Sequence, residues 1–356
     1  MESEKLKIGV IFGGLSAERE VSLVSGRHVY QILDRNHFDP VPIFFDSGAR
    51  FWKIPESLVI RNTTKELEEN LLIKGARTLS YEELPGQIDL AFLTTHGKYG
   101  DDGCLQGLLE LLKIPYTGSG VLSAALGMDK PMQRKLLSAS EEKINSPEYI
   151  VFRKEIWKSD KDKCISEAEN KFSYPIVTKP AREGSTLGVM VVREKKDWDE
   201  ALRAAFEYDN SAVVEKYLEG REFSVIVVGN EDPIAFLPTE TIHEGKIFTY
   251  DHKYLPGGSQ KITPMEIKDE IIGEIQRQAV GAYKILECKT FARIDGFVLK
   301  DGKVLITDPN SAASTGLGPS SWTFHQAALN NLSPKDFLTS LVEFSLEAHK
   351  FKKGAL

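Results

Sequence analysis

Apolar residues in this chain gather into short blocks whose period changes along the sequence. Leu6–Phe12 is an uninterrupted apolar run and predicts a buried strand, and Val41–Phe45 and Ile88–Thr95 repeat it. Between them, Ser22–Leu33 carries Val24, Val29, Ile32 and Leu33 at helical spacing, and Gly103–Lys113 stacks Leu105, Leu108, Leu109 and Leu112 on one face. Strands alternating with helices predict a parallel α/β domain over residues 1–120. A central unit over 121–214 follows, with a helix from Asp129 to Leu137 and another from Trp198 to Glu207. In the remainder, 215–356, the predicted strands are Phe223–Val228, Ile234–Leu237, Ala292–Leu299 and Val304–Asp308. The predicted helices are Ile267–Ile285 and Pro334–His349, an α+β order.

Composition narrows the picture. A chain of 356 residues with 41% hydrophobic residues can bury two or three ordinary cores. Lys and Arg number 45 against 52 Asp and Glu, a net charge of −7, with no basic patch to grip nucleic acid. The apolar runs fall far short of the roughly 20 residues that span a membrane. Met1-Glu2-Ser3-Glu4-Lys5 lacks the features of a signal peptide. Cys104, Cys164 and Cys288 are widely spaced, without a metal-binding pattern, which fits a reducing cytoplasm.

The most informative segment is Thr178-Lys179-Pro180-Ala181-Arg182-Glu183-Gly184-Ser185-Thr186-Leu187-Gly188-Val189. Tyr174–Val177 on one side and Gly188–Val192 on the other read as strands. Between them lie a lysine, two glycines and two hydroxyls, the chemistry of a phosphate cradle. A Walker loop would lead from strand to helix, so this is neither a P-loop nor a Rossmann turn. By itself the segment is equally a hairpin with a solvated lysine.

Near the C-terminus, Arg293-Ile294-Asp295 and Asp308-Pro309-Asn310 end two strands joined by a turn at Gly302. That pairing offers the oxygens of Asp295, Asp308 and Asn310 to a hard cation such as Mg²⁺. An ordinary polar hairpin end would look the same. Glu215 and Glu222 flank a turn containing Tyr217, and could accept from an adenine amino group or ribose hydroxyls, or be surface charge. The Gly13–Ser22 segment and His96 each follow a strand, where open α/β sheets bind ligands. Tyr250-Asp251-His252-Lys253-Tyr254 precedes a Gly/Pro loop and reads as a lid or as an exposed aromatic loop.

Taken in order, these segments resemble the D-alanine–D-alanine ligases of the ATP-grasp superfamily. The resemblance rests on GGLSAEREVSLVSG, HGKYGDDGCLQGLLE with PYTGSG, MDK, TKPAREGSTLGV, VEKYLEGREF, YDHKY and ARID, and covers nearly the whole chain. It implies a three-domain ATP-grasp fold that joins two D-alanines through an acyl phosphate in peptidoglycan precursor synthesis. It further implies ATP as substrate, two Mg²⁺ ions with Mn²⁺ as an alternative, and a cytoplasmic homodimer. By match of motif, Lys130 and Lys179 would hold ATP phosphates, with Glu215, Tyr217 and Glu222 at the adenine and ribose. Asp295, Asp308 and Asn310 would ligate metal. Glu18 would take the first substrate's ammonium and His96 would lie near its carboxylate. Arg293 would stabilise the oxyanion, while Ser185 and Tyr254 would reach Glu18. Lys253 would face the transferring phosphate, and Ser321 the acceptor's carboxylate.

The chain departs from the family pattern at 308–316, where Asp308 replaces the usual Glu and two residues are added before Gly316. Two alternatives stay open at this stage. One is a relative making D-alanyl-D-serine or D-alanyl-D-lactate, the latter disfavoured by Tyr254. The other is a nucleotide-binding paralogue without activity.

Overall fold

In a computed structural model, residues 5–184, 186–242, 260–310 and 315–353 are described. The first apolar run forms β1 (Leu6–Gly13), flanked by β2 (Phe38–Phe45) and β5 (Leu90–Leu93), both parallel to it. At one edge, β3 (Phe51–Lys53) and β4 (Arg77–Leu79) add antiparallel, giving the order β4-β3-β2-β1-β5. The sheet is therefore parallel at its centre, as the strand–helix alternation predicts. Helix α1 (Arg19–Ile32) begins three residues before the predicted start. Its Ser22, Ser25 and Gly26 are buried, whereas Val24, expected in the core, is more than a third exposed. Two short helices follow, α2 (Glu56–Val59) and α3 (Thr64–Asn70), and then α4 (Cys104–Leu111).

A pair of helices, α5 (Val121–Met128) and α6 (Lys130–Ala139), leads onward. Asp129 caps α6, accepting from the Met132 N–H at 3.0 Å, and Pro131 sits in its first turn, so Lys130 opens the helix. The next sheet has the order β6-β9-β7-β8, from β6 (Tyr149–Arg153), β7 (Ile176–Pro180), β8 (Met190–Val192) and β9 (Ser211–Lys216), all antiparallel. Helices α7 (Lys154–Ser159), α8 (Lys161–Lys171) and α9 (Trp198–Tyr208) cover one face and close a core around Trp198. The glycine loop thus joins β7 to β8, as expected.

Tyr217-Leu218-Glu219 then carries the chain into a different sheet, so this segment links two sheets and is not the turn of one hairpin. The last sheet runs β13-β12-β10-β14-β15, with β11 (Ile234–Ala235) on β10. Its strands are β10 (Gly220–Val228), β12 (Thr239–Ile242), β13 (Gln260–Ile262), β14 (Phe291–Leu299) and β15 (Val304–Asn310). Helix α10 (Asp269–Ile285) packs on one face of it. On the other side, α11 (Trp322–Leu329) and α12 (Pro334–Lys353) join this sheet to the first one through a shared core. That core runs from Val10 and Phe12 to Ile226, Phe291, Phe337 and Leu341.

Candidate active site

Where the three layers meet lies a cavity of about 760 Å³. It is lined by Glu18, His96, Lys130, Lys179, Glu215, Tyr217, Glu222, Arg293, Asp295, Asp308, Asn310 and Ser321, so every expected site residue among the described residues faces one space. Ser185, Lys253 and Tyr254 lie outside the described residues.

One wall comes from the antiparallel sheet of β6–β9. Lys179, near the end of β7, sits directly across from Val213 in register and pairs with Glu215 on β9, Nζ to Oε1 at 2.7 Å. The other carboxylate oxygen, Oε2, is held by Arg134 of α6, a fully buried side chain that sequence patterns did not single out. Burial alone would raise the Glu215 pKa. The two cations overcome this and hold it below the ordinary carboxylate range. Lys130 donates to the Glu183 carbonyl at 2.6 Å, tying α6 to the glycine loop. Both lysines point at Asp308: Lys130 Nζ lies 3.7 Å from Oδ1 and Lys179 Nζ 3.8 Å from Oδ2.

The opposite wall is the β14–β15 ladder. Asp295 faces Asp308 and Arg293 faces Asn310 in register, and the ladder shifts register between Asp295 and Gly296. Asp295 is bound by Arg293, whose Nη2 donates at 2.9 Å, by Ser224 at 2.7 Å and by the Asn310 amide at 2.9 Å. Two carboxylates and an amide on adjacent strands, beside two lysines, form a hard-oxygen set that fits a divalent cation shared with phosphate. Among the described residues no group of three or more His, Cys, Asp and Glu is placed to hold a metal ion, so the third donor would have to be Asn310.

Glu18 and His96 close the cavity from the first sheet. A Cβ built on Gly184 would stand 3.0 Å from Glu18 Oε2, and one on Gly97 2.8 Å from it. Glycine at both places lets two loops converge on one carboxylate. His96, 3% exposed, faces the Ser25 hydroxyl at 3.5 Å. Burial, reinforced by Arg293, depresses its pKa to about 3, so the ring is neutral at working pH. Ser321 caps α11, accepting from the Thr323 N–H at 3.2 Å and donating to the Gly316 carbonyl. Lys261 of β13 and Trp322 of α11 complete this corner. Neither had a sequence signal: β13 spans only three residues, and Trp322 is the first residue of a short helix.

A parallel α/β layer and two antiparallel sheets enclosing a cavity of lysines and carboxylates constitute an ATP-grasp fold. Residues 7–119 match the D-ala D-ala ligase N-terminus model and residues 139–343 the D-ala D-ala ligase C-terminus model. The D-alanine–D-alanine ligase of Natranaerobius thermophilus is 32% identical, across 98% of this chain and 97% of the relative. The solved D-alanine-D-alanine ligase from Coxiella burnetii superposes with a TM-score of 0.84 at 25% identity, covering 99% of this chain and 97% of that one. The Bacillus anthracis ligase complexed with ATP gives 0.74 at 27% identity, covering 98% and 99%. The chain belongs to the D-alanine–D-alanine ligase family.

Proposed function

We propose that this protein uses ATP to join two D-alanine molecules, through an acyl phosphate, for peptidoglycan precursor synthesis. The observation that carries the reading is the convergence of Lys130, Lys179, Asp308, Asp295 and Arg293 with Glu18 and His96 on one cavity. Division of the chain at 120 and 214 into three working parts goes with it.

In this reading Lys130 and Lys179 cradle the phosphates of ATP, with Glu215, Tyr217 and Glu222 at the adenosine end. Lys179 lies between Glu215 and Asp308, which supports giving its ammonium to a transferring phosphoryl group. Asp295, Asp308 and Asn310 would hold Mg²⁺, which when bound would offset phosphate charge. Glu18 receives the ammonium of the first D-alanine, orienting its carboxylate for attack on the γ-phosphate. His96, being neutral, serves that carboxylate by hydrogen bonding without adding charge. Arg293 stabilises the oxyanion formed when the second amine attacks, and Ser321 receives the acceptor's carboxylate. Ser185, Lys253 and Tyr254 are assigned by motif alone, with Lys253 at the phosphate and the other two towards Glu18.

The test is D-alanine-dependent ADP release with mass detection of the product. Release of ADP with formation of the dipeptide supports the reading. A folded protein that binds ATP yet releases no ADP with D-alanine would instead be a paralogue without activity.

A further inference from the structure

The corner of the cavity beside Ser321 holds a cation that the reading above does not use. Lys261 lies on β13 directly across from Thr241, which in turn faces Glu222 of β10. Its ammonium sits over the Trp322 ring at 4.4 Å from the centroid, and the Arg293 guanidinium lies over the same ring at 5.8 Å. Two like charges therefore share one indole in a partly buried corner. Burial first, and Arg293 second, push the Lys261 pKa below the ordinary lysine range.

Three carboxylates that line the cavity are already committed. Asp295 is held by Arg293, Glu240 by Arg221, and Asp308 lies between Lys130 and Lys179. Among the described residues, no carboxylate lies within ion-pair distance of Lys261. Among the described residues the Trp322 indole N–H, in the same corner, likewise has no acceptor. A half-buried ammonium next to another cation is costly unless an anion completes it. A plain D-alanine acceptor brings one carboxylate, which Ser321 receives at the start of α11.

We propose that Lys261, seated on Trp322, is a specificity-determining residue that receives a second, side-chain carboxylate of the acceptor. The enzyme would then join D-alanine to an acidic D-amino acid as well as to D-alanine. This rests on the ligase reading above and on Ser321 facing the acceptor. The chemistry is unchanged: the acceptor amine, having lost a proton to solvent, forms the C–N bond as the C–O bond to phosphate breaks, and phosphate leaves with the electron pair.

The experiment supplies ATP, Mg²⁺ and D-alanine with D-aspartate, D-glutamate or no second amino acid, and identifies products by mass. A mixed dipeptide ending in the acidic residue is expected. In Lys261→Met, kcat/KM for the acidic acceptor relative to D-alanine should fall tenfold or more, and Lys261→Arg should retain most of the ratio. Lys261→Gln, closer in polarity, replaces the Met variant if circular dichroism shows that one misfolded. Formation of D-alanyl-D-alanine without any mixed product would overturn the proposal. So would an unchanged ratio in the variant, or an effect confined to KM for ATP, which would give Lys261 to the nucleotide phosphates. Absence of ADP release with every acceptor is a different failure: it removes the ligase reading, and this proposal with it.

Discussion

Lys179 and His96 show how single residues acquire roles from their surroundings. Lys179 is 8% exposed and shares Glu215 with Arg134, so its removal leaves that buried carboxylate one counter-charge. Lys179→Ala should therefore still fold, while losing about 10²–10³-fold in kcat, the scale for removing one donor aimed at developing charge. Circular dichroism together with ADP release checks this, and near-normal turnover in a folded variant would remove the phosphate role. His96 makes a prediction about pH. Its folded pKa, about 3, lies below the ordinary 6.5, so between these values the unfolded chain binds more protons. The stability it contributes is present above pH 6.5 and is lost as pH falls towards 3. From pH 6.5 to 5 the loss is about 2 kcal/mol, at 1.36 kcal/mol per unit. Urea unfolding of the parent and His96→Gln at pH 7.5 and 5 should show a shallower pH dependence in the variant, and parallel curves would contradict the assignment.

At the scale of elements, α1 carries Glu18 at its N-terminal edge, so its seat on β1 sets that carboxylate's position. The seat is tight at Gly26, where a built Cβ would fall 2.4 Å from Phe12 Cβ. Gly26→Ala would gain about 1 kcal/mol of helix propensity. It should nonetheless destabilise the protein by roughly 1–3 kcal/mol, because the fully buried Phe12 cannot yield at its Cβ. A lowered Tm with a raised KM for D-alanine is expected, and a Tm at or above the parent's would refute the close packing. Patterns of this local kind were legible in the sequence. The apolar period gave β1, β10 and β14, α4 and α9, and the lysine–glycine segment gave the β7–β8 loop. What escaped was anything fixed by long-range pairing. Arg134 reads as a polar helix position, yet it is buried because β9 brings Glu215 against it, 81 residues away. Lys261 reads as one more charge in a polar stretch, and only its register with Thr241 brings it into the cavity. Strands β3, β4 and β13 span three residues each, too short for a period to declare itself.

For the whole molecule, the distribution of cores indicates what must hold together and what can move. The first sheet and the last share a core through α12, in which Phe337, Leu338, Leu341 and Val342 are fully buried. Contacts across the cavity reinforce it: the Ser25 hydroxyl accepts from the Leu317 N–H at 3.2 Å, and the His28 ring meets the Leu317 carbonyl at 2.9 Å. The β6–β9 sheet has its own core around Trp198 and reaches the last sheet through Tyr217-Leu218-Glu219. Truncating a buried leucine typically costs 2–5 kcal/mol. Leu341→Ala should thus weaken both outer sheets together although it lies in neither. Hydrogen exchange measures this directly. Amides of β1 and β14 should lose protection in parallel, while those of β7 and β9 keep theirs, since their core contains no part of α12. Loss of protection confined to β14 would mean that the first sheet stands without the C-terminal helix. Equal loss in all three sheets would mean one cooperative unit, with no separately stable wall to carry Lys179 across the cleft.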